Sequence, residues 1–464
     1  MMKNVSNTSR KNKKYLYRGV CLVILVIIST TIFFDAWYEF VQVNNQTGHL
    51  LGLGNLGMAT GIYLSLYYII GKWMHAFKIG VERKANILAG QVLTLLSVAF
   101  LELFISCVIT GQFRFFPNFV VIYSVVFILQ SVVNCLLVIP MVNIYRKHFP
   151  PLEVLEIHGG IENALCEKIN EIPYKYKIVE SVSYDIGDAA IEKKLSSYDA
   201  VFLNDIPDFE KNKIVKMCYG RDKRIYFVPK ISDIIARSAE ELNLIDTPLF
   251  MNRNNRINPF MRYTKRFFDV ALSLIALIVL SPLFVVVAIA IKLEDGGPVF
   301  YRQERITLDL KHFMILKFRS MIVDAEKDGI PHPAEDEDDR ITKVGKIIRR
   351  FRIDELPQLI NIIKGEMSIV GPRPERVEHV DKYIGEIPEF CYRYKVKGGL
   401  TGYAQVYGNY ATSALDKLKL DLIYITNYSL LLDLQIIFET IKILVQKDST
   451  KGFSEDEVGK MQEK

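Results

Sequence analysis

The chain is poor in the residues that build metal cages, disulfide frameworks and proton relays. Among 464 residues there are six cysteines, seven histidines and two tryptophans. Cys21, Cys107 and Cys135 fall inside apolar runs, and Cys166, Cys218 and Cys391 stand alone. With no C-x-x-C pair and no histidine at ligand spacing, the thiols read as reduced and a zinc site is not expected. The histidines form no H-E-x-x-H and have no evident serine or cysteine partner. Charge of one sign is also scarce: 58 Lys and Arg against 52 Asp and Glu leave +6, spread through the chain without a long basic tract. Nucleic acid is therefore not an expected partner.

Apolar residues, by contrast, make up 50% of the chain, more than a wholly soluble protein needs. Four apolar segments occupy the first third, at about 17–34, 50–71, 88–111 and 119–142, each near the ~20 residues that cross a bilayer. The first follows a basic flank but is too long for a signal-peptide core, and no small-residue cleavage site follows, so it reads as a retained anchor. Lys11, Lys13, Lys14 and Arg18 precede the first segment; Lys72, Lys78, Arg83 and Lys84 follow the second; Arg146 and Lys147 follow the fourth. The loops after the first and third segments carry no Lys or Arg except Arg114. By the positive-inside rule, both ends of a four-span bundle over 1–150 face the cytoplasm. Glu102 is the one acidic residue within these spans, and no inverted repeat is evident, which disfavours a transporter.

Over 151–250, short apolar strands at 152–157, 176–180, 200–203 and 224–228 alternate with polar helix-like stretches. This texture predicts a small Rossmann-like α/β domain with a parallel sheet, on the cytoplasmic side. The turn His158-Gly159-Gly160 hints at a dinucleotide fingerprint but lacks the full glycine spacing and a placed carboxylate. A tight turn without a ligand is the commoner meaning. A polar linker over 251–262 leads to an apolar run at 263–293. As one helix it could span the bilayer, but Ser281-Pro282 lies near its middle, where proline removes a backbone hydrogen bond and kinks a helix. The Ser281 hydroxyl is placed to satisfy the freed carbonyl. Cations flank both ends: Lys265 and Arg266 on one side, Lys292, Arg302 and Arg305 on the other. These features predict a re-entrant membrane helix broken at Ser281 and Pro282, with a fifth, kinked crossing as the alternative.

The densest chemistry lies between Lys317 and Glu375, in a region (294–446) expected to fold as a mostly helical α+β domain. In order come Lys317-Phe318-Arg319-Ser320-Met321, Asp324-Ala325-Glu326 and Asp339-Arg340-Ile341-Thr342. Then follow Arg349-Arg350-Phe351-Arg352-Ile353-Asp354-Glu355-Leu356-Pro357-Gln358 and Gly365-Glu366-Met367-Ser368-Ile369-Val370-Gly371-Pro372-Arg373-Pro374-Glu375. Leu356 to Lys364 has helical periodicity, Pro357 suits a first turn and Gly365 a stop, so Asp354 and Glu355 sit at a helix N-terminus. There the free amides and the dipole favour anions. Arginines nearby can make forked contacts to phosphoryl oxygens, while paired carboxylates can hold Mg²⁺ or attack phosphorus. From composition alone, such a pair is more often a cap with solvated neighbours. The acidic stretch 335–339 reads as a solvated loop and the charged tail 447–464 as disordered.

This block, together with the Ser-Pro break before it, resembles the bacterial sugar transferases, the monotopic polyprenyl-phosphate phosphoglycosyl transferases. The resemblance covers about 264–446, and the region before it is similar to the long members with an N-terminal four-helix membrane bundle. It implies a multi-pass protein of the bacterial inner membrane with a cytoplasmic catalytic domain. Its partners would be a UDP-sugar, polyprenyl (undecaprenyl) phosphate and membrane lipid, its cofactor Mg²⁺, and its pathway exopolysaccharide, capsule or O-antigen assembly. Asp354 would be the nucleophile and Glu355 the Mg²⁺ ligand. Lys317, Arg319, Arg340, Arg349, Arg352, Gln358 and Arg373 would bind substrate. Where many members read Pro-Gly before the Leu-Thr-Gly turn, this chain has Gly398-Gly399. Two rival readings stand beside this one: direct attack by the lipid phosphate without a covalent intermediate, and a non-catalytic membrane scaffold or receptor. A homodimer is compatible with the sequence, but no residue pattern demands one.

Overall fold

A computed structural model describes residues 2–44, 53–160, 165–170, 173–252, 259–323, 325, 338–408 and 412–445. The linker positions 253–258, Asp324, Glu326, the acidic residues 335–337 and the tail 447–464 lie outside the described residues. The chain divides into two units, 1–228 and 229–464.

The first unit opens with four helices: α1 (Met2–Asn44), α2 (Leu53–Trp73), α3 (Lys84–Thr110) and α4 (Phe116–His148). Each packs on its neighbour in sequence, and α4 closes onto α1. Gly111, in the left-handed region at φ 65°, ends α3 by returning its N–H to Val108, and a proline in the first turn starts α4. The bundle is lined by aromatic rings, with Trp37, Phe33, Tyr63, Tyr67 and Phe119 all buried. Among the described residues, four helices are long and apolar enough to cross a membrane: 12–44, 84–110, 113–148 and 259–295. The expected second span, 50–71, begins among residues outside the described ones; its described part, α2, is an apolar helix that packs as the wall between α1 and α3.

The α/β part follows as β1 (Leu152–His158), α5 (Leu165–Asn170), β2 (Tyr176–Ser183), α6 (Asp188–Leu195), β3 (Ala200–Asn204), α7 (Asp208–Tyr219) and β4 (Arg224–Phe227). The sheet is wholly parallel, in the order β2-β1-β3-β4. Strands that are apolar on both faces, as in buried Val154, Leu155 and Ile157, suit a sheet covered by helices. Gly159 has a local reason to be glycine: its N–H donates to Asn204 O at 2.9 Å, and a Cβ there would stand 2.0 Å from Asp205 O.

The second unit begins earlier than the sequence suggests. Helix α8 (Ile231–Arg237) and the hairpin β5 (Glu240–Leu244)–β6 (Thr247–Met251) belong to it, not to the middle domain ending at 250. Ile234 packs with Leu418 and Leu422, an association between positions far apart in sequence that local periodicity cannot reveal. Next come the long helix α9 (Pro259–Asp295), the antiparallel pair β7 (Phe300–Ile306)–β8 (His312–Phe318), α10 (Lys343–Arg350), α11 (Gln358–Lys364), β9 (Ser368–Val370), α12 (Val377–Glu386), β10 (Gly399–Thr401), α13 (Tyr403–Tyr407), α14 (Ala414–Thr426) and α15 (Leu430–Val445). Strands β9 and β10 pair in parallel.

Helix α9 runs without interruption through Ser281 and Pro282, so the expected break is not a gap in helical structure. Pro282 cannot bond Ile278 O, and the Ser281 hydroxyl donates to that same carbonyl at 2.8 Å, as the sequence predicts. One face of α9 lies along the unit for most of its length. Near its start, Lys265 pairs with Asp433 at 2.5 Å, and Asp269 accepts from Ser368 Oγ at 2.8 Å and Ile369 N at 3.1 Å. Towards its end, Val287 and Ile291 pack with Phe318 and Ile348, and Glu294 accepts from Lys343 N at 2.7 Å. The opposite face exposes Leu274, Ile275, Ile278, Val279, Val285, Val286 and Ile289.

Candidate active site

Thr342 caps α10 by accepting from Gly345 N at 2.9 Å, and the helix ends at Arg350. Arg352 then adopts φ 53° and ψ 26°, a left-handed conformation that a side chain disfavours. That reversal opens a 3₁₀ turn over Ile353–Glu355, between α10 and β8, ahead of α11. The dyad therefore stands on a tight turn just before the helix. Gly365, at φ 91°, stops α11 as expected.

Asn361, absent from the sequence-derived candidates, fixes the other wall. Its side chain accepts from Leu316 N at 3.0 Å and donates to Met314 O at 2.8 Å and Glu366 Oε2 at 2.7 Å. This ties α11 to β8 and so sets Lys317 opposite the dyad. A lone asparagine inside a helical run gives no sequence signal for such a role. The third wall is the segment 371–375. Gly371 N donates to Thr401 O and Gly399 N to Pro372 O, both at 2.9 Å, and a Cβ on Gly371 would meet Lys397 O at 2.3 Å. Arg393 donates to Arg373 O at 3.0 Å while its own guanidinium is buried against Asp421 at 2.6 Å; Arg305 donates to Pro374 O at 3.1 Å. These anchors also carry no local sequence signature.

Gly398 N–H donates to Thr307 Oγ1 at 3.1 Å, a bond the proline common in the family could not give. The departure from the family pattern therefore has a partner in this chain.

Glu355 is buried and surrounded by cations. Arg373 Nη2 lies 2.5 Å from Oε1, Lys317 Nζ 3.5 Å from Oε1 and Arg352 Nη1 3.9 Å from Oε2. Burial works to raise its carboxyl, but Arg373, Lys317 and Arg352 outweigh it and hold the group well below the usual carboxylate range. Asp354 differs. Among the described residues its side chain makes no hydrogen bond or ion pair, and burial, then the Glu355 charge, push its carboxyl up to about 6, against the pull of Lys317, Arg349 and Arg373. Burial brings Lys317 down to about 8, with Glu355 opposing the shift. One carboxylate is thus clamped and its neighbour is left available.

Of the expected substrate-binding residues, Lys317, Arg349, Arg352 and Arg373 converge on the dyad by contact or by charge. Arg319 does not: it is buried against Asp295 at the end of α9, where a side chain on Gly297 would collide with it. Arg340 makes a forked contact to Asp338, at 2.8 and 2.6 Å. Gln358 is 1% exposed, and its Nε2 has no hydrogen-bond partner. Four cations about two carboxylates leave an excess of positive charge suited to a phosphate-bearing ligand. Magnesium uses one or two carboxylates and completes its shell with phosphate oxygens and water. The dyad fits that donor set, and no group of three or more metal-ligating side chains occurs among the described residues.

The site thus sets a buried carboxylate pair among cations on a polar domain along which a long apolar helix lies. Residues 260–447 match the bacterial sugar transferase family. The chain is 44% identical to a UDP-N-acetylgalactosamine-undecaprenyl-phosphate N-acetylgalactosaminephosphotransferase of Aeromonas hydrophila, over 40% of this chain and 45% of that protein. It is 40% identical to a UDP-glucose:undecaprenyl-phosphate glucose-1-phosphate transferase of Klebsiella pneumoniae, over 47% of this chain and 48% of that protein. It is also 40% identical to the exopolysaccharide production protein ExoY of Sinorhizobium fredii, over 40% of this chain and 87% of that protein. The chain thus spans about half the length of the first two. It belongs to the bacterial sugar transferase family.

Proposed function

We propose that this protein transfers a sugar 1-phosphate from a UDP-sugar to polyprenyl (undecaprenyl) phosphate, releasing UMP, and so initiates assembly of an exopolysaccharide, capsule or O-antigen. The observation that carries the reading is the asymmetry of the dyad: Glu355 is held by Arg373 and Lys317, while Asp354 beside it has no hydrogen-bond or ion-pair partner among the described residues. In the first half-reaction an Asp354 oxygen attacks the sugar-bearing phosphorus. A bond from oxygen to phosphorus forms, the bond to UMP breaks, and the electron pair leaves on UMP. In the second, a polyprenyl phosphate oxygen attacks the same phosphorus and Asp354 departs as a carboxylate, leaving the sugar on a lipid diphosphate. Lys317, Arg349, Arg352 and Arg373 spread the charge that develops on the phosphoryl oxygens. Glu355 would hold Mg²⁺, which when bound neutralises diphosphate charge.

The remaining architecture suits the two substrates. A polyprenol gains ~0.8 kcal/mol per CH₂ kept in lipid, and a nucleotide-sugar cannot enter lipid, so the reacting groups belong at headgroup depth. Helix α9 supports a shallow, re-entrant placement: both of its ends bind the same polar unit, which a helix crossing the bilayer would have to carry to opposite surfaces. Its exposed apolar face would lie in lipid. The basic flanks of α1, α2 and α4 favour a cytoplasmic catalytic domain in the inner membrane. The β2-β1-β3-β4 order is compatible with a Rossmann-like middle domain.

The test is UMP release from a panel of UDP-sugars by membranes containing the full chain, with and without polyprenyl phosphate and Mg²⁺. Mg²⁺-dependent release with one sugar, lost in Asp354→Asn, is expected. No release with any sugar from correctly inserted protein would return the scaffold reading to first place.

A further inference from the structure

The N-terminal bundle satisfies most of its buried polar groups. Asn134 Nδ2 donates to Ser29 Oγ at 2.9 Å and to Tyr67 Oη at 3.0 Å; Tyr67 donates to Gln91 Oε1 at 2.8 Å, and Gln91 donates to Ala76 O at 3.0 Å. Glu102 on α3 is the one carboxylate among the buried groups left unpartnered in the described bundle. It is 0% exposed, and neither carboxylate oxygen has a hydrogen-bond partner. Among the described residues no cation offsets it: its charge bears on the Tyr63 hydroxyl of α2 and the Tyr123 hydroxyl of α4, and Tyr123 is itself paired with Ser106. Phe33 of α1 stacks on both of these tyrosines, with ring centroids 4.2 Å from Tyr63 and 5.9 Å from Tyr123. The two acids of α1, Asp35 and Glu39, are exposed. Trp37, beyond Phe33, is also buried with its indole N–H unpartnered.

An ionised carboxylate enclosed this way, without a partner, costs far more than a neutral acid with one unsatisfied hydroxyl. The missing positive charge must therefore be bound at the site. A metal ion would need several oxygen ligands, whereas the surroundings offer aromatic rings and two phenols. We propose that Glu102 is a proton-binding site inside the membrane bundle, carrying its proton at neutral pH and allowing α3 to close against α2 and α4. Taking up the proton from water neutralises the carboxylate; releasing it at alkaline pH leaves a buried charge that loosens this packing.

The experiment is an infrared difference spectrum of the full-length protein in lipid nanodiscs, wild type minus Glu102→Gln, at neutral and at alkaline pH. Wild type should show the carbonyl absorption of one carboxylic acid per chain that the variant lacks, replaced by carboxylate bands as pH rises. A membrane-permeant carbodiimide, which reacts with protonated carboxyls in apolar surroundings, should give wild type an adduct mapped to Glu102 by mass spectrometry. This second measurement does not depend on the variant folding. Carboxylate bands at neutral pH, with no adduct on Glu102, would overturn the proposal, as would carboxylate bands accompanied by sodium- or potassium-dependent thermal stability.

Discussion

Asp354→Asn should abolish transfer and at the same time make the protein more stable. In the folded chain the Asp354 carboxyl is raised from 3.8 to about 6, chiefly by burial and then by the Glu355 charge. Because the folded value lies above the unfolded one, ionisation opposes folding. The penalty is absent below the unfolded value, grows as pH rises through the folded value, and is complete above it. A rise from 3.8 to about 6 corresponds to ~3 kcal/mol, and partial solvent screening reduces this to roughly 1–3 kcal/mol. Asparagine has nearly the same shape and no charge, so it removes the penalty while keeping the packing. Thermal unfolding of the full-length protein in nanodiscs should show the variant several degrees more stable at about pH 7.5, with the gain shrinking towards zero near pH 4. A gain that is equal at both pH values would come from packing, and no gain at neutral pH would mean Asp354 is not strained. Either result would refute the reasoning that this carboxylate is held available at the expense of stability.

UMP release should fall on the acid side with an apparent pKa near 6 as Asp354 takes up a proton, and a pH profile of initial rates checks this. Arg373→Ala should lower turnover by roughly 10²-fold or more by freeing Glu355 and removing a phosphate-facing cation, read as kcat and KM in membranes. Arg393→Met should cost about 3–5 kcal/mol by stranding Asp421, and Arg393→Met with Asp421→Leu should recover most of it, measured by thermal unfolding. Gly398→Pro should destabilise by about 1 kcal/mol or more through loss of the Thr307 bond, again by thermal unfolding. A variant as stable as wild type would show that Thr307 finds another donor.

The motifs that sequence could read are those whose physics is local. Pro357 and Gly365 bracket α11, Ser281 serves the carbonyl that Pro282 frees, and the Asp-Glu pair precedes a helix, all within a few residues of one another. Partnerships between distant positions were not legible. Arg319 and Arg340 sit among the motif cations but are drawn to Asp295 and Asp338, because an arginine fork takes the nearest carboxylate that the fold presents. Lys265 meets Asp433 across 168 positions, Asn361 joins α11 to β8, and Arg393 secures the backbone of Arg373. None of these lies in a pattern that periodicity or turn chemistry could single out. The same holds for α8, whose docking on α14 moves the unit boundary to 228.

The most direct test of the central claim is to incubate the full-length protein in membranes with the UDP-sugar it uses and Mg²⁺, but no polyprenyl phosphate, and to map the chain by mass spectrometry. A phosphosugar on Asp354, formed with a matching amount of UMP and discharged when polyprenyl phosphate is added, is the predicted result. UMP that appears only when the lipid is present, with Asp354 unmodified throughout, would contradict the covalent mechanism and leave direct attack by the lipid phosphate as the route.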